Sequence, residues 1–210
     1  MPIQCIHISK KYDNQVVLND VSVTFEDRKI HGLVGRNGSG KTMLMKCICG
    51  YVRPDSGHVL INDQQIGSDI EFPPSMGLML ETPGFLPQFS GRFNLSMLYA
   101  IRNKPDRQII RKAIETVGLD PDSKKKVGHY SLGMRQRLGI AQALMESPDL
   151  LILDEPFNGL DETGVHDIRV LLSQLRDEGK TIILSSHYAQ DIDMLCDTVH
   201  EMKSGSIQEK

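Results

Sequence analysis

The sequence predicts an α/β fold built on a parallel sheet, and three observations lead to this prediction. Short apolar runs bounded by turn residues recur as GLMLE, DLLILDE and TIILSSH, which is typical of strands buried on both faces. Segments with helical periodicity separate these runs, including ETGVHDIRVLLSQLRDEG before TIILSSH. The chain has 210 residues, of which 40% are hydrophobic, and this is enough for one sizeable core.

The N-terminal third predicts an antiparallel sheet. Val21, Val23 and Phe25 alternate with polar residues, as in a half-buried strand. QCIHIS before this segment and HVLIND after it are further candidate strands. KIHGLVG then predicts a short strand that leads directly into a glycine-rich loop.

The loop GRNGSGKT, residues 35–42, fits the pattern GxxxxGK[ST] between a predicted strand and a predicted helix. Its backbone N–H groups and the helix N-terminus are expected to bind phosphate. Lys41 can reach the β- and γ-phosphates, and the Thr42 hydroxyl can bind Mg²⁺. A simple turn would leave Lys41 unpaired among N–H donors, so we prefer the phosphate-binding interpretation. The expected nucleotide-binding residues here are Gly35, Arg36, Asn37, Gly38, Ser39, Gly40, Lys41 and Thr42.

The middle of the chain predicts helices and no confident strand. RQIIRKAIETVGL places its apolar residues on one helical face, with Gly118 as the stop signal. That face consists of Ile109, Ile110, Ala113, Ile114 and Val117. We therefore expect residues 82–147 to form a helical subdomain inserted into a core made of residues 1–81 and 148–210.

Two acidic residues follow the apolar run LLIL. Ligands of open α/β sheets bind at the carboxyl ends of the strands, so Asp154 is expected near the phosphates, holding Mg²⁺. Glu155 is expected to polarise a water for attack on the γ-phosphate. Paired acids at a strand end can also be merely solvated. A GTPase would carry an NKxD motif, which this sequence lacks, and a small-molecule kinase would not need Glu155 beside Asp154.

YSLGMRQRLGIAQALMESPDLLILDEPFNGLD resembles the signature region of ATP-binding cassette (ABC) ATPases. Ser131 and Gly133 match the LSGGQ pattern, and residues 158–161 resemble the D-loop. His187 resembles the switch histidine, and Tyr12 resembles the aromatic residue that stacks on adenine. The resemblance covers nearly the whole chain, and the motifs occur in the order found in the family.

The resemblance implies a P-loop NTPase fold with a RecA-like core, and an ATPase that uses ATP and Mg²⁺. It implies that two cassettes, which we expect to be identical chains, sandwich two ATP molecules between them. It also implies roles for named residues. The catalytic residues would be Glu155 and His187, the metal ligands would be Thr42, Glu81 and Asp154, and Tyr12, Ser131 and Gly133 would contact nucleotide.

The sequence departs from the family pattern at four positions. Leu132 replaces the first signature glycine, Met134 its glutamine and Tyr130 its leucine. Glu81 stands where the family normally has a glutamine. A carboxylate there adds negative charge near the phosphates and cannot donate as an amide does. The Glu81 variant resembles the ATPases of lantibiotic-immunity and bacitracin-resistance exporters.

The resemblance implies a separate integral-membrane permease as partner and a position on the cytoplasmic face of the plasma membrane. No run approaches the ~18 apolar residues of a membrane span, and no signal peptide is evident. TPGFLPQFSGRFNL is either a loop with core anchors or part of a groove that receives a permease helix. The alternative function is a soluble ABC ATPase that acts on a macromolecular complex.

Composition argues against two further kinds of site. The net charge of -3 and the 5% aromatic content give no basis for a nucleic-acid surface. The four cysteines, Cys5, Cys47, Cys49 and Cys196, form no CxxC pair. We interpret them as small apolar residues of a protein in a reducing cytosol rather than as a metal or redox site.

Overall fold

The computed structural model describes residues 1–13, 15–81, 83–186 and 189–209. The strands are β1 (Ile3–Tyr12), β2 (Gln15–Phe25), β3 (Ile30–Val34), β4 (Ser56–Ile61), β5 (Gln64–Gln65), β6 (Met76–Met79), β7 (Leu150–Leu153), β8 (Thr181–Ser185), β9 (Thr198–Lys203) and β10 (Ser206–Glu209). The α-helices are α1 (Lys41–Ile48), α2 (Gly91–Tyr99), α3 (Arg107–Thr116), α4 (Leu132–Leu144), α5 (Glu162–Asp177) and α6 (Ala189–Leu195). In the part of the chain so described, no helix has the length and apolar character needed to cross a membrane.

The central sheet has six strands in the order β10-β9-β3-β8-β7-β6. All neighbours from β9 to β6 are parallel, which confirms the predicted α/β class. The antiparallel β10 extends the sheet beyond β9 and was not predicted. TVHEMK has no clear apolar alternation in its sequence, because the buried positions are held by a histidine, His200, and by Met202, while the apolar Val199 is only half-buried.

The apolar run LLIL is buried on both faces, as predicted. Leu150 and Ile152 belong to the core cluster under α1 and the antiparallel sheet, whereas Leu151 and Leu153 belong to the cluster under α4 and α5. Successive side chains of a strand point to opposite faces, so β7 joins the two clusters. Its carboxyl end is therefore held firmly between them.

The predicted antiparallel sheet is present, with the order β2-β1-β4-β5. In β2, Val21 and Phe25 are buried and the residues between them are half-buried or exposed, as the alternation predicted. In the middle of the chain, α3 begins after Asp106, whose carboxylate accepts hydrogen bonds from the N–H groups of Gln108 and Ile109. It ends before Gly118, which has a φ of 73°.

The cysteines are free thiols, of which Cys5, Cys47 and Cys49 are buried and Cys196 is half-buried. Burial raises the pKa of Cys5 and raises the pKa of Cys47 and Cys196 to about 12. Such thiols stay protonated and poorly reactive at neutral pH. Among the described residues, no cluster of three or more His, Cys, Asp or Glu side chains could hold a metal ion.

Candidate active site

The glycine-rich loop turns tightly between β3 and α1. Gly35, Gly38 and Gly40 all have positive φ values, of 147°, 79° and 109°. A Cβ on Gly35 would lie 2.3 Å from the Met202 carbonyl oxygen, and one on Gly40 would lie 2.9 Å from the Val17 carbonyl oxygen. Only glycine fits these positions, so β2 and β9 press the loop into its conformation.

Lys41, the first residue of α1, is a buried cation. Its Nζ donates to the carbonyl oxygens of Gly35 at 2.8 Å and Arg36 at 3.4 Å, and its side chain is 7% exposed. Among the described residues, no carboxylate forms an ion pair with it. The buried Ser39 Oγ likewise has no hydrogen-bond partner there. A buried ammonium with no ion pair and a buried hydroxyl with no hydrogen bond, among the described residues, indicate an anion site at the helix N-terminus.

Asp154 lies directly after β7 and is 7% exposed. The Thr42 hydroxyl donates to its Oδ2 at 2.7 Å, and the Ser185 hydroxyl donates to its Oδ1. Two of the three predicted metal ligands are thus adjacent. One carboxylate and one hydroxyl beside a phosphate site fit Mg²⁺, which takes few protein ligands and completes its octahedron with phosphate oxygens and waters.

Glu81 and Glu155 occupy equivalent places on neighbouring strands. Met79 of β6 pairs with Leu153 of β7, and each glutamate follows two residues later. Both have left-handed backbone conformations, with φ of 57° and 52°. Non-glycine residues held there cost of order 1–3 kcal/mol and cluster at functional sites.

The third predicted metal ligand is engaged elsewhere. The Glu81 Oε1 accepts a charged hydrogen bond from Lys46 Nζ at 2.7 Å. Lys46 lies one helical turn after Thr42 in α1, so the two side chains lie on the same face of the helix, and both line the cavity. The glutamate that replaces the family's glutamine therefore has a compensating cation within the site.

The peptide groups on both sides of Glu155 are fixed by two different elements. Its N–H donates to Ser185 Oγ at 2.9 Å, at the end of β8. Its carbonyl oxygen accepts from Nε2 of Gln136 in α4 at 2.7 Å. The predicted base thus has its backbone held by the core sheet and by the helical segment.

A cavity of about 410 Å³ brings most of the predicted residues together. It is lined by Asn37, Gly38, Ser39, Gly40, Lys41, Thr42, Glu81, Asp154 and Glu155, together with Val17, Met43 and Lys46. Tyr12, at the end of β1, does not line it. Its ring is 47% exposed and lies 5.3 Å from Lys10 Nζ. His187 lies outside the described residues.

Ser131 and Gly133 also lie away from this cavity, at the start of α4. The Ser131 Oγ caps the helix by accepting from the Met134 N–H at 3.1 Å. Leu132, the departure from the signature glycine, covers Gly159, where a Cβ would lie 2.4 Å from its Cγ. The leucine therefore packs this helix end onto the D-loop segment of its own chain.

Sequence reasoning missed five residues of the site. Val17, Met43 and Lys46 line the cavity, Ser185 bonds to Asp154, and Gln136 bonds to Glu155. Ser185 ends the predicted strand TIILS, so its place at the ligand-binding edge was open to prediction. Gln136 gave no local signal, since its contact spans 19 positions of the chain.

Comparisons with known proteins agree with this geometry. The family model described as "ABC transporter" matches residues 18–158. The ABC transporter ATP-binding protein YybJ of Bacillus subtilis (strain 168) is 43% identical, over 98% of this chain and 94% of that protein. The bacitracin transport ATP-binding protein BcrA of Enterococcus faecalis is 40% identical, over 99% of this chain and 68% of BcrA.

A third relative and a solved structure extend the comparison. The lantibiotic transport ATP-binding protein SrtF of Streptococcus pyogenes is 33% identical, over 96% of this chain and 86% of SrtF. The dimeric ATP-binding cassette MJ0796 in a post-hydrolysis state, bound to ADP and Pi, superposes with a TM-score of 0.89. It is 20% identical and covers 99% of this chain and 97% of the other, so this likeness shows the fold.

Proposed function

Because the chain belongs to the ABC transporter family, as an ATP-binding subunit that hydrolyses ATP, we propose that it drives a separate membrane permease. Two such cassettes close on Mg-ATP, and hydrolysis lets them open again. The names of BcrA and SrtF, which specify bacitracin transport and lantibiotic transport, support a peptide antibiotic as cargo. The resemblance of the Glu81 variant to exporter ATPases favours export as the direction. The two names also favour transport over action on a soluble macromolecular complex.

One observation carries the nucleotide assignment. Lys41 is a buried ammonium whose partners, among the residues that the structure describes, are two backbone carbonyl oxygens. It lies beside the Thr42–Asp154 pair in the same cavity. A triphosphate would supply an anion for Lys41, and a divalent cation held by Thr42 and Asp154 would compensate the buried carboxylate. A phosphate alone would not explain the buried carboxylate of Asp154, and a metal ion alone would not explain the buried ammonium of Lys41.

The proposed chemistry is an in-line attack of water on the γ-phosphate. Glu155 accepts the proton of the attacking water, the bond between the γ-phosphorus and the bridging oxygen breaks, and ADP and phosphate leave. Thr42 and Asp154 would hold Mg²⁺, which would supply positive charge to neutralise the phosphate oxygens. Lys41 and the loop N–H groups hold the β- and γ-phosphates. Tyr12 and His187 keep their predicted roles at the adenine and the γ-phosphate.

The second half of the nucleotide site would come from another copy. Ser131 is exposed and caps the N-terminus of α4, which is the positive end of the helix dipole. This helix end does not line the phosphate cavity of its own chain. In the proposed dimer, Ser131 and Gly133 of one chain face the γ-phosphate bound by the other. The dimeric state in which the cassette MJ0796 was solved supports an assembly of two chains.

The permease is proposed to dock on a groove of about 670 Å³ next to β6. Tyr51, Phe72 and Ile101 line it and expose 62%, 47% and 75% of their surface. Arg102 and Glu146 also line it and supply both signs of charge. A short amphipathic helix of the permease, with an apolar face and mixed charge, fits this lining. The subunit would thus sit on the cytoplasmic face of the membrane.

The function is tested by Glu155→Gln, which keeps the shape of the side chain and removes its basicity. We expect Mg-ATP binding to persist while turnover falls by about 100-fold or more, the usual range for lost acid–base catalysis. Glu178→Gln, an exposed change after α5, is the matched control and should hydrolyse ATP at the normal rate. Normal phosphate release by the Glu155→Gln variant would refute the assignment.

A further inference from the structure

Gln136 is a buried polar side chain in α4 whose amide reaches the predicted base. It is 6% exposed, and its Nε2 donates to the Glu155 carbonyl oxygen at 2.7 Å. Since a carbonyl can only accept, the chemistry of the contact fixes the amide orientation. The other peptide group of Glu155 is held by Ser185, as described above. The backbone of Glu155 is therefore supported from two sides, by Ser185 of β8 and by Gln136 of α4.

The support acts on a residue in a strained conformation. Glu155 has a φ of 52°, and a non-glycine residue keeps such a conformation only where its surroundings determine it. The backbone conformation fixes the direction in which the Cα–Cβ bond leaves the chain. The position of the Glu155 carboxylate relative to an attacking water therefore depends on both hydrogen bonds. Misplacement of a catalytic group by about 1 Å can cost roughly 100-fold in rate.

The same helix also carries the Ser131 end. Gln136 lies five residues after Ser131 in the chain, which is about 7.5 Å along a helix. The first turn of α4 is packed on the D-loop segment as well, since a Cβ on Gly133 would lie 2.7 Å from the Gly159 carbonyl oxygen. A displacement of this helix end would thus move Gln136 together with the backbone that leads away from Glu155.

We propose that Gln136 is a positioning residue that links the Ser131 end of α4 to the base of its own chain. This inference rests on the proposed function, because it needs the Ser131 end to face nucleotide on a second copy. Engagement of that end sets the position of α4. Gln136 then sets the orientation of Glu155, so that closure over one ATP readies the base that acts on the other.

The test uses Gln136→Met, which keeps length and helix propensity and removes the donor. We expect the hydrolysis rate at saturating Mg-ATP to fall about 10- to 100-fold, with Mg-ATP affinity unchanged. Gln108→Met, the same change at an exposed position of the neighbouring helix α3, is the control and should leave the rate unchanged. Thermal unfolding of both variants is measured in parallel. If Gln136→Met does not fold, Gln136→Asn, which moves the donor back by one methylene, takes its place.

A double-mutant cycle separates positioning from general structural damage. If Gln136 acts only through Glu155, adding Gln136→Met to Glu155→Gln lowers the residual hydrolysis rate no further. ATP-driven dimerisation of the double variant should also equal that of Glu155→Gln. A normal rate in Gln136→Met, or an additive loss in the double variant, would overturn the inference and leave the proposed function standing. Full activity of Glu155→Gln alone would instead overturn the proposed function.

Discussion

At the scale of single residues, the site is organised by two buried charges, neither of which forms an ion pair with another described residue. Lys41 is buried against carbonyl oxygens, whereas Asp154 is buried against two hydroxyls. The sequence predicted both residues, because the pattern GxxxxGK[ST] and the acids after a buried strand are local signals. It did not predict the hydrogen bonds that orient Glu155. These come from Ser185 and Gln136, whose proximity depends on tertiary packing.

The Lys46–Glu81 pair yields a prediction at this scale. Lys46→Met leaves the Glu81 carboxylate uncompensated beside the phosphates, so Mg-ATP should bind about two- to fivefold more weakly, the range for a half-exposed ion pair. Combining it with Glu81→Gln restores a neutral pair and should recover the affinity. Fluorescence titration with a nucleotide analogue measures both effects.

Lys29 provides the matched control for that experiment. It forms an ion pair with Glu26 at 2.7 Å, and neither residue lines the cavity. Lys29→Met should leave nucleotide affinity unchanged. Equal affinities of Lys46→Met and the unmodified protein, or no recovery in the double variant, would show that the pair does not compensate charge at the phosphates.

At the scale of elements, the buried strands were predicted and the final hairpin was not. The strands β6, β7 and β8 could be predicted because each is a short run of mostly apolar residues. The β9–β10 hairpin supports the phosphate loop, since the Gly205 N–H donates to the Ser39 carbonyl oxygen at 3.0 Å. Polar residues interrupt the apolar alternation of the hairpin sequence, so β9 is recognised as a strand only from its pairing with β3 in the structure. The division into a core and a helical subdomain at residues 82–147 stays a prediction.

The proposed docking groove is an element-scale feature and gives a second prediction. Ile101→Glu places a charge where we expect an apolar helix face, so the subunit should no longer co-purify with its permease from membranes. Hydrolysis by the isolated subunit should stay normal because Ile101 lies outside the phosphate cavity. Val170→Glu, on an exposed apolar residue of α5, is the control. Undiminished co-purification of Ile101→Glu would place the permease elsewhere.

At the scale of the whole molecule, the two sheets meet around a buried histidine. His31 of β3 is 1% exposed, with Nδ1 2.6 Å from Thr198 Oγ1 and Nε2 2.7 Å from the Glu26 carbonyl oxygen. Phe25 of β2 packs on it edge to face at 5.2 Å, and His200 of β9 stacks at 6.3 Å. Lys29 and Asp197 are the other charged groups that act on it. Burial is the main cause that lowers the pKa of His31, and His200 and Lys29 add to it.

This lowered pKa predicts that acid destabilises the fold. Below the unfolded histidine pKa, about 6.5, the unfolded chain binds a proton that the folded chain does not. The free energy of unfolding should therefore fall as the pH drops from 7.5 to 5.5. His31→Gln should flatten this dependence, whereas His129→Gln, at an exposed site, should not. Denaturant unfolding at both pH values measures it, and an unaltered slope in His31→Gln would assign the acid sensitivity to other groups.

The central claim is that one chain holds half of each nucleotide site and a second copy completes it. Light scattering of the Glu155→Gln variant with Mg-ATP at low salt tests this most directly. We predict a particle of twice the 23.5 kDa chain mass, which reverts to monomer when ATP is withheld or when Ser131→Arg is added. A variant that binds Mg-ATP and yet remains at 23.5 kDa would contradict the account.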